Sequence, residues 1–451
     1  MRFILPVLAE LTGWSLLVND IKGDLHKMTS AHRAAADNLI LKLAPFEEDS
    51  DGHNPIAALS TGESFPDDAM ELAEALIRVE SREPHWAQAA QELVAGLIMY
   101  VRLIMPETGS LSDVRKMLGL DTKNWQRLIR GGNNTDPRQL ELWEMTPEED
   151  RDPKYEPPFE HNGKLYPGVI AVAEQNDWPA LETKLARYGN ITPANREMLS
   201  VISTALTQTR WLDSPRVAAN LAMKPFDFSV VRDRPVTVYL ILPPRRLSSH
   251  SGWLRLMVAC FLQKLMIEPK PGKVPVMLLL DEYAAMAGGA GAGRDDHGDG
   301  FSVVANRMPL MRQYGLKLCT CWQDISQAKR IYGDGFETFL ANAGAVLTFA
   351  PQDATTAEHF SKLTGQTWRD MISSGRQRSN SPGQPQGTTM TDSLNMGVTQ
   401  LPTMLPQDFR NMDDGFAVIF THRAKGPVTV YLPYPDQLPH LRALVELGRA
   451  G

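Results

Sequence analysis

Four short runs between residues 236 and 350 are apolar at nearly every position: VTVYLIL (236–242), VPVMLLL (274–280), LKLCTCW (316–322) and AVLTFA (345–350). A strand with one solvated face alternates apolar and polar residues. Several of these runs do not, which predicts strands covered by helices on both sides. Helical spacing fills the gaps, over 251–267, 301–314 and 325–341, and again over 354–363 before a fifth run, FAVIF (416–420). Repeated strand–helix–strand order predicts a doubly wound, mostly parallel α/β sheet.

The opening of the chain follows the same order. Residues 3–11 predict a helix, Trp14–Val18 a strand and Leu39–Leu43 another. From about residue 66 to 225 the period becomes helical, as in Ala69, Leu72, Ala73 and Leu76, then Leu93, Leu97, Tyr100, Val101 and Ile104. No strand stands out there, and Thr135–Gly168, rich in Pro, Glu and Asp, reads as a surface loop. The expected organisation is one α/β domain in two pieces, 1–65 and 226–451, around an all-α insertion at 66–225. Two further stretches, AGGAGAGRDDHGDG (287–300) and SSGRQRSNSPGQPQGTT (373–389), read as mobile loops.

A formal net charge of -7 excludes a blanket of positive charge, so any nucleic-acid contact needs a local basic patch. Three cysteines cannot build a disulfide framework. Cys319 and Cys321 point the same way on one strand, with no second cysteine pair or histidine cluster to complete a metal site; a reducing compartment fits. Pro6 and Glu10 interrupt the apolar start MRFILPVLAELTGWSLLV. It reads as a helix leading into a strand rather than a signal peptide or membrane span. No other window offers the roughly 18 unbroken apolar residues of a membrane span.

The sharpest chemical signal is VMLLLDEY (276–283): a buried apolar strand ending in two acids. The carboxyl edge of a parallel sheet is where such folds bind ligands. In a Walker B reading, Asp281 holds Mg²⁺ through water and Glu282 orients water against a γ-phosphate; the plain alternative is a charged turn. Gln323 ends the next run and is suited to sensing that phosphate, or simply to opening a helix. Arg312, just before that run, would serve a neighbouring subunit's nucleotide or lie solvated. In NDIKGD (19–24), Asp20, Lys22 and Asp24 would flank a nucleotide or a subunit interface, or form an ordinary turn with Gly23. Residues 201–255 hold eight Arg or Lys against three Asp. Of these, Arg232, Arg234, Arg245 and Arg246 bracket VTVYLIL and are suited to phosphate contacts without base readout. Trp125, Arg127 and Arg130 are a weaker set of the same kind. A phosphate cradle needs G-x-x-x-x-G-K-[ST]. The only Gly-Lys pairs, Gly163-Lys164 and Gly272-Lys273, do not fit it.

These residues resemble, in order along nearly the whole chain, the TraG/TraD-type conjugative coupling proteins, relatives of the FtsK and HerA P-loop ATPases. LLVNDIKGDLHKMTSAHR is similar to the family's segment after its Walker A loop, and LKLAPF with HNP to its "PF…NP" element. PHWAQAAQELVAGLIMYV resembles the opening of its all-α domain, and FDFSVVRDRPVTVYLILPPRRL the strand after that domain. VPVMLLLDEYAAMAG resembles its Walker B segment. YGLKLCTCWQDISQAKRIYGDGFETFLANAGAVLTFAPQDATTAEHFSKLTG is the most specific likeness. The resemblance implies a RecA-like fold, ATP and Mg²⁺ as cofactors, and Asp281 and Glu282 as the Walker B pair. It implies Gln323 as sensor and Arg312 as the arginine reaching an adjacent subunit. It further implies a homo-hexamer at the cytoplasmic face of the bacterial inner membrane. Such a ring hands relaxase-bound single-stranded DNA, or protein effectors, to the inner-membrane part of a type IV secretion channel. Members carry transmembrane helices and a Walker A loop ahead of the point where this sequence starts. The expectation is therefore a truncated or split chain, inactive alone, or a pseudo-ATPase. The alternatives are a non-catalytic scaffold that docks substrate for the secretion system and an FtsK/HerA-like DNA translocase.

Overall fold

A computed structural model describes residues 1–79, 84–131, 136–147, 150, 157–286, 302–379 and 389–449. Helix α1 (Ile4–Glu10) leads into strand β1 (Ser15–Asn19), helix α2 (Asp24–Ala35) and strand β2 (Leu39–Leu43). Helices α3 (Phe65–Leu76) and α4 (Pro84–Ile104) open a largely helical stretch that contains the small hairpin β3 (Phe159–His161) and β4 (Lys164–Tyr166). Strands β5 (Val236–Leu240), β6 (Val276–Leu280) and β7 (Leu316–Thr320) follow. Helices Pro244–Leu265 and Ser302–Met311 lie between them. Beyond these come β8 (Ala345–Thr348), β9 (Gln366–Ser379), β10 (Thr389–Pro402), β11 (Phe416–Thr421) and β12 (Val428–Tyr431).

The main sheet has the order β2-β5-β1-β6-β7, and every pairing in it is parallel. Two segments more than 180 residues apart thus interleave: β1 sits between β5 and β6. All residues of β1 and β5 are buried, as their unbroken apolar runs require. On one face Leu16, Val18, Tyr239 and Leu279 pack against Ile4, Leu5 and Leu8 of α1 and Leu25 and Met28 of α2. On the other, Leu17, Val238, Leu278 and Leu280 join a larger core with α3, α4 and the helix Pro244–Leu265. Helices on both faces make this the doubly wound α/β fold that the sequence predicts. Each fully buried aliphatic residue adds about 1.5–3 kcal/mol.

Four expectations are corrected. AVLTFA and FAVIF do not extend the main sheet. Their strands β8 and β11 join β12 in a separate antiparallel sheet, ordered β12-β11-β8. One face of it meets Ile325, Ala328, Phe360 and Phe409, while Ala345 and Phe416 stay exposed, so apolar residues alone did not mark two-sided burial. Residues 373–379, read as loop, are the end of β9, which pairs with β10 as a long ribbon. The ribbon's Trp368, Met371, Leu394, Met396 and Val398 are exposed. A strand with no buried face shows no apolar alternation to read. The stretch 135–168 holds the helix Pro137–Met145 and the β3–β4 hairpin, so the segment 66–225 is not wholly helical. Asn162 and Gly163 at the hairpin's tip both have positive φ (50° and 72°), the turn that Asn-Gly favours. Buried Asp113 anchors it, accepting from Asn162 Nδ2 at 2.9 Å and pairing with His161 Nε2 at 2.9 Å. The expected helix 325–341 also breaks, into Ile325–Tyr332 and Phe336–Asn342, at Gly333 with φ 55°. The loop at 287–300 lies outside the described residues.

Arg33 locks α1 and α2 to the sheet. It is fully buried, yet among the described residues no carboxylate pairs with it. Its guanidinium donates to the Leu8 carbonyl at 2.6 Å, the Trp14 carbonyl at 2.8 Å, Asn38 Oδ1 at 2.9 Å and Thr237 Oγ1 at 2.6 Å. Burial holds its pKa down to about 10. Removing it leaves several buried acceptors unpaired, at about 1–3 kcal/mol each. Arg33→Ala is expected to destabilise the chain by about 3 kcal/mol or more in urea denaturation. A loss below about 1 kcal/mol would show that water replaces the guanidinium there.

Candidate functional site

Parallel pairing brings the carboxyl ends of β1, β6 and β7 together. Asn19 pairs with Leu280, and Leu280 with Thr320, so the residues just beyond them share one edge. The β6–β7 ladder continues past the strand ends: Cys321 N–H donates to the Leu280 carbonyl at 3.0 Å and Tyr283 N–H to the Cys321 carbonyl at 3.1 Å. The turn carrying Asp281 and Glu282 therefore stands beside the tip of β7. Across it, Asn19 Nδ2 donates to the Asp281 carbonyl at 2.6 Å and ties the turn to β1.

The pleat also decides which way the acids face. Val18, Leu279 and Cys319 lie on the α1 side of the sheet, so Asp20, Asp281 and Cys321, each two residues on, continue on that side. Asp281 Oδ1 accepts the Glu282 N–H at 3.0 Å. Among the described residues, Asp281 Oδ2 and the Glu282 carboxylate have no side-chain partner. Glu282 has φ +47°, a left-handed backbone that costs a non-glycine residue about 1–2 kcal/mol. Strain of this kind gathers at functional turns. Behind the turn, Tyr283 is buried against Trp322 at 5.0 Å and Phe339 at 5.8 Å between ring centroids.

Asp20 is 3% exposed and accepts the His26 N–H at 2.8 Å, which caps the start of α2. Burial pushes its carboxyl up to about 6, against the pull of that hydrogen bond. Lys22 is exposed in the same turn, and Gly23 takes φ 74° to enter α2. Gln323 is exposed two residues past Cys321, at the same edge. Cys321 lies beside Cys319, and that neighbour together with burial raises the pKa of the Cys321 thiol.

Other expected residues lie elsewhere. Arg312 is exposed ahead of β7, at the amino edge, so within one chain the sheet separates it from Asp281 by about five residues of strand, roughly 17 Å. Arg232 is not free for phosphate: its guanidinium donates to the carbonyls of Leu265 and Lys270 at 2.5 Å and of Tyr314 at 3.0 Å. Arg234 is exposed at the amino end of β5, whereas Arg245 and Arg246 are exposed beyond its carboxyl end. The four arginines do not make one patch, because the strand between them holds them at opposite edges. Trp125 is buried against Tyr188, so it offers no stacking face, while Arg127 and Arg130 are exposed. The Asn19 clamp and the left-handed Glu282 had no signal in the sequence, since both arise from pairing between distant segments.

Residues 2–429 match the family described as Type IV secretory system Conjugative DNA transfer. The chain belongs to this family. Relatives include the Conjugal transfer protein TraG of Escherichia coli, 24% identical over 400 residues, covering 83% of this chain and 55% of TraG. Protein VirD4 of Agrobacterium fabrum (strain C58 / ATCC 33970) is 22% identical over 430 residues, covering 92% of this chain and 54% of VirD4. The chain spans about half the length of these curated relatives. Among solved structures, the unbound conjugative coupling protein TrwBdeltaN70 aligns with a TM-score of 0.54 at 15% identity, over 94% of this chain and 86% of that one. TrwB in complex with ADP and Mg²⁺ aligns with a TM-score of 0.52 at 14% identity, with the same coverage. At such identities the likeness establishes the fold, that of the RecA-like coupling proteins. No helix among the described residues is long and apolar enough to cross a membrane.

The Asp20 carboxyl gives a pH signature. Its folded pKa of about 6 exceeds the ordinary 3.8, so the folded chain binds that proton more tightly than the unfolded chain does. Its contribution is full at low pH and is lost as pH rises from about 4 to about 6. Asp20→Asn keeps an acceptor for His26 without the charge. The variant is expected to gain about 1–3 kcal/mol over the parent between pH 4 and pH 7. Parallel stability curves from urea denaturation at several pH values would contradict the assignment.

Proposed function

We propose that this chain is the acid half of an ATP-driven motor that passes single-stranded DNA, with its relaxase, or a protein effector, into a type IV secretion channel. The carrying observation is the corner where β1, β6 and β7 end together, with two acids that have no side-chain partner among the described residues at the ladder's tip. Family membership supplies the context. TrwB, of the same fold, has been solved with ADP and Mg²⁺ and with a GTP analogue, which supports a nucleotide as ligand.

Asp281 would hold Mg²⁺ through water; its Oδ1 is fixed by the Glu282 N–H and its Oδ2 is open. The metal would supply charge stabilisation to the phosphates. Glu282 orients the attacking water, Gln323 reports on the γ-phosphate, and Lys22 and Asp20 bound the nucleotide on the β1 side. The phosphate-gripping loop, absent from the sequence, comes from another segment. Among the described residues β7 is the outermost strand of its sheet, so its edge can take a further strand beside the acids. Arg312, remote from its own chain's acids, acts on the neighbouring subunit of a homo-hexamer at the inner membrane's cytoplasmic face. Residues 1–65 and 226–451 form the motor domain, which the interleaved sheet supports, and 66–225 dock substrate. Arg245 and Arg246, at the same edge as the acids, and Arg234, at the opposite edge, are the DNA contacts that remain open.

ATP hydrolysis tests this reading. The chain alone is expected to turn over no faster than its Glu282→Ala variant. Preceded by a segment carrying a Gly-Lys-Ser/Thr loop, it is expected to hydrolyse ATP, with Glu282→Ala about a hundredfold slower or more. Equal rates in parent and variant would refute the role of Glu282. In the same extended protein Arg312→Ala is expected to lower turnover about a thousandfold. An unchanged rate would remove the arginine from the active site.

A further inference from the structure

On the sheet face opposite the acids, a buried arginine and a half-buried one share one locus, and among the described residues no anion meets them. Arg255, in the helix Pro244–Leu265, is 8% exposed. Its one bond is a long one, from Nη1 to Ser251 Oγ at 3.4 Å, and its Nε is buried without an acceptor. Arg78, two residues past α3, also has a buried, unpaired Nε. Its backbone is clamped by Gln208, whose Oε1 accepts the Arg78 N–H at 2.5 Å and whose Nε2 donates to the Arg78 carbonyl at 2.9 Å. Helix α3 packs on Pro244–Leu265, and the charge of Arg78 reaches Arg255. Burial, with that neighbouring charge, holds the Arg255 pKa down to about 9. A third donor lies beside them: the Trp211 indole N–H is buried without an acceptor against Gly252, one turn from Arg255. Among the described residues, no carboxylate pairs with either arginine.

Leaving a cation such as Arg255 buried and unpaired is strongly unfavourable, and here a second, half-buried cation lies beside it. Arg33 shows the contrasting solution, a buried guanidinium ringed by carbonyls. Arg78, Arg255 and Trp211 instead keep donors without acceptors, and planar guanidinium forks match tetrahedral oxyanions.

We propose that Arg78, Arg255 and the Trp211 indole form a binding site for a phosphate-type oxyanion, between α3, the Trp211 turn and the helix Pro244–Leu265, separate from the nucleotide corner. Converging guanidinium and indole donors suit a terminal phosphate: free inorganic phosphate, or the 5′-phosphate of a nucleic-acid end. The anion would stiffen the junction between the sheet and the helical segment.

Isothermal titration of the chain with inorganic phosphate, against sodium chloride of matched ionic strength, tests this. Saturable binding at one site is expected, with a phosphate-dependent rise in Tm. Arg255→Met and Arg78→Met should each weaken binding at least tenfold, and Arg255→Met should match or exceed the parent's Tm in phosphate-free buffer. If one variant fails to fold, the other and the parent titration decide. Oligo(dT) with and without a 5′-phosphate separates the sources: preference for the phosphorylated end names nucleic acid, and equal weak binding beside tight phosphate names the free ion. No saturable phosphate binding to the parent, or undiminished binding in the variants, would overturn the site.

Discussion

Everything in this fold hangs on β1 lying between β5 and β6. A central parallel strand has partners on both edges and cover on both faces, and β1 finds its partners in residues more than 200 positions downstream. All its side chains are buried, so no other register would keep the Ser15 hydroxyl and the Asn19 Nδ2 paired at its ends. Ser15 Oγ donates to the Val231 carbonyl at 2.7 Å, and Asn19 Nδ2 to the Asp281 carbonyl at 2.6 Å. The two polar termini act as register pins. A slip of one residue would turn Val18 and Leu16 to the opposite core and release both pins.

The same pairing builds the candidate site. Asp20 and Asp281 approach because the strands that carry them are neighbours, and they face α1 because the pleat puts alternate residues there. Burial of Asp20 raises its proton affinity, and the sharp turn after Asp281 forces Glu282 into a left-handed backbone. Both are local costs offset by the surrounding sheet, the pattern expected where chemistry rather than stability selects the residues.

Three solutions to buried charge stand side by side. Arg33 is satisfied by carbonyls, Asp113 by a serine, an asparagine and a histidine, while Arg78 and Arg255 have surplus donors. The first two are structural joints, holding α1 to the sheet and the β3–β4 hairpin to its helix. The last lacks the anion that the others make unnecessary.

Much of this was legible in the residue order. Runs such as VMLLL and the LLV of Trp14–Val18 declare strands buried on both faces, because nothing in them suits water, and the acids after VMLLL mark a sheet edge. The sequence also set the absence of a Gly-Lys-Ser/Thr loop and the order of family-like segments. Other features were not legible, since they depend on which surfaces meet. The placement of AVLTFA in a second sheet, the ribbon drawn from a polar stretch and the engagement of Arg232 by three carbonyls come from tertiary contacts. The splitting of four arginines between two edges is of the same kind. Periodicity reports how many faces of an element are covered, and by what polarity; it carries no information on which distant strand lies alongside, and that adjacency alone decided where the acids, the arginines and the open edge of β7 stand.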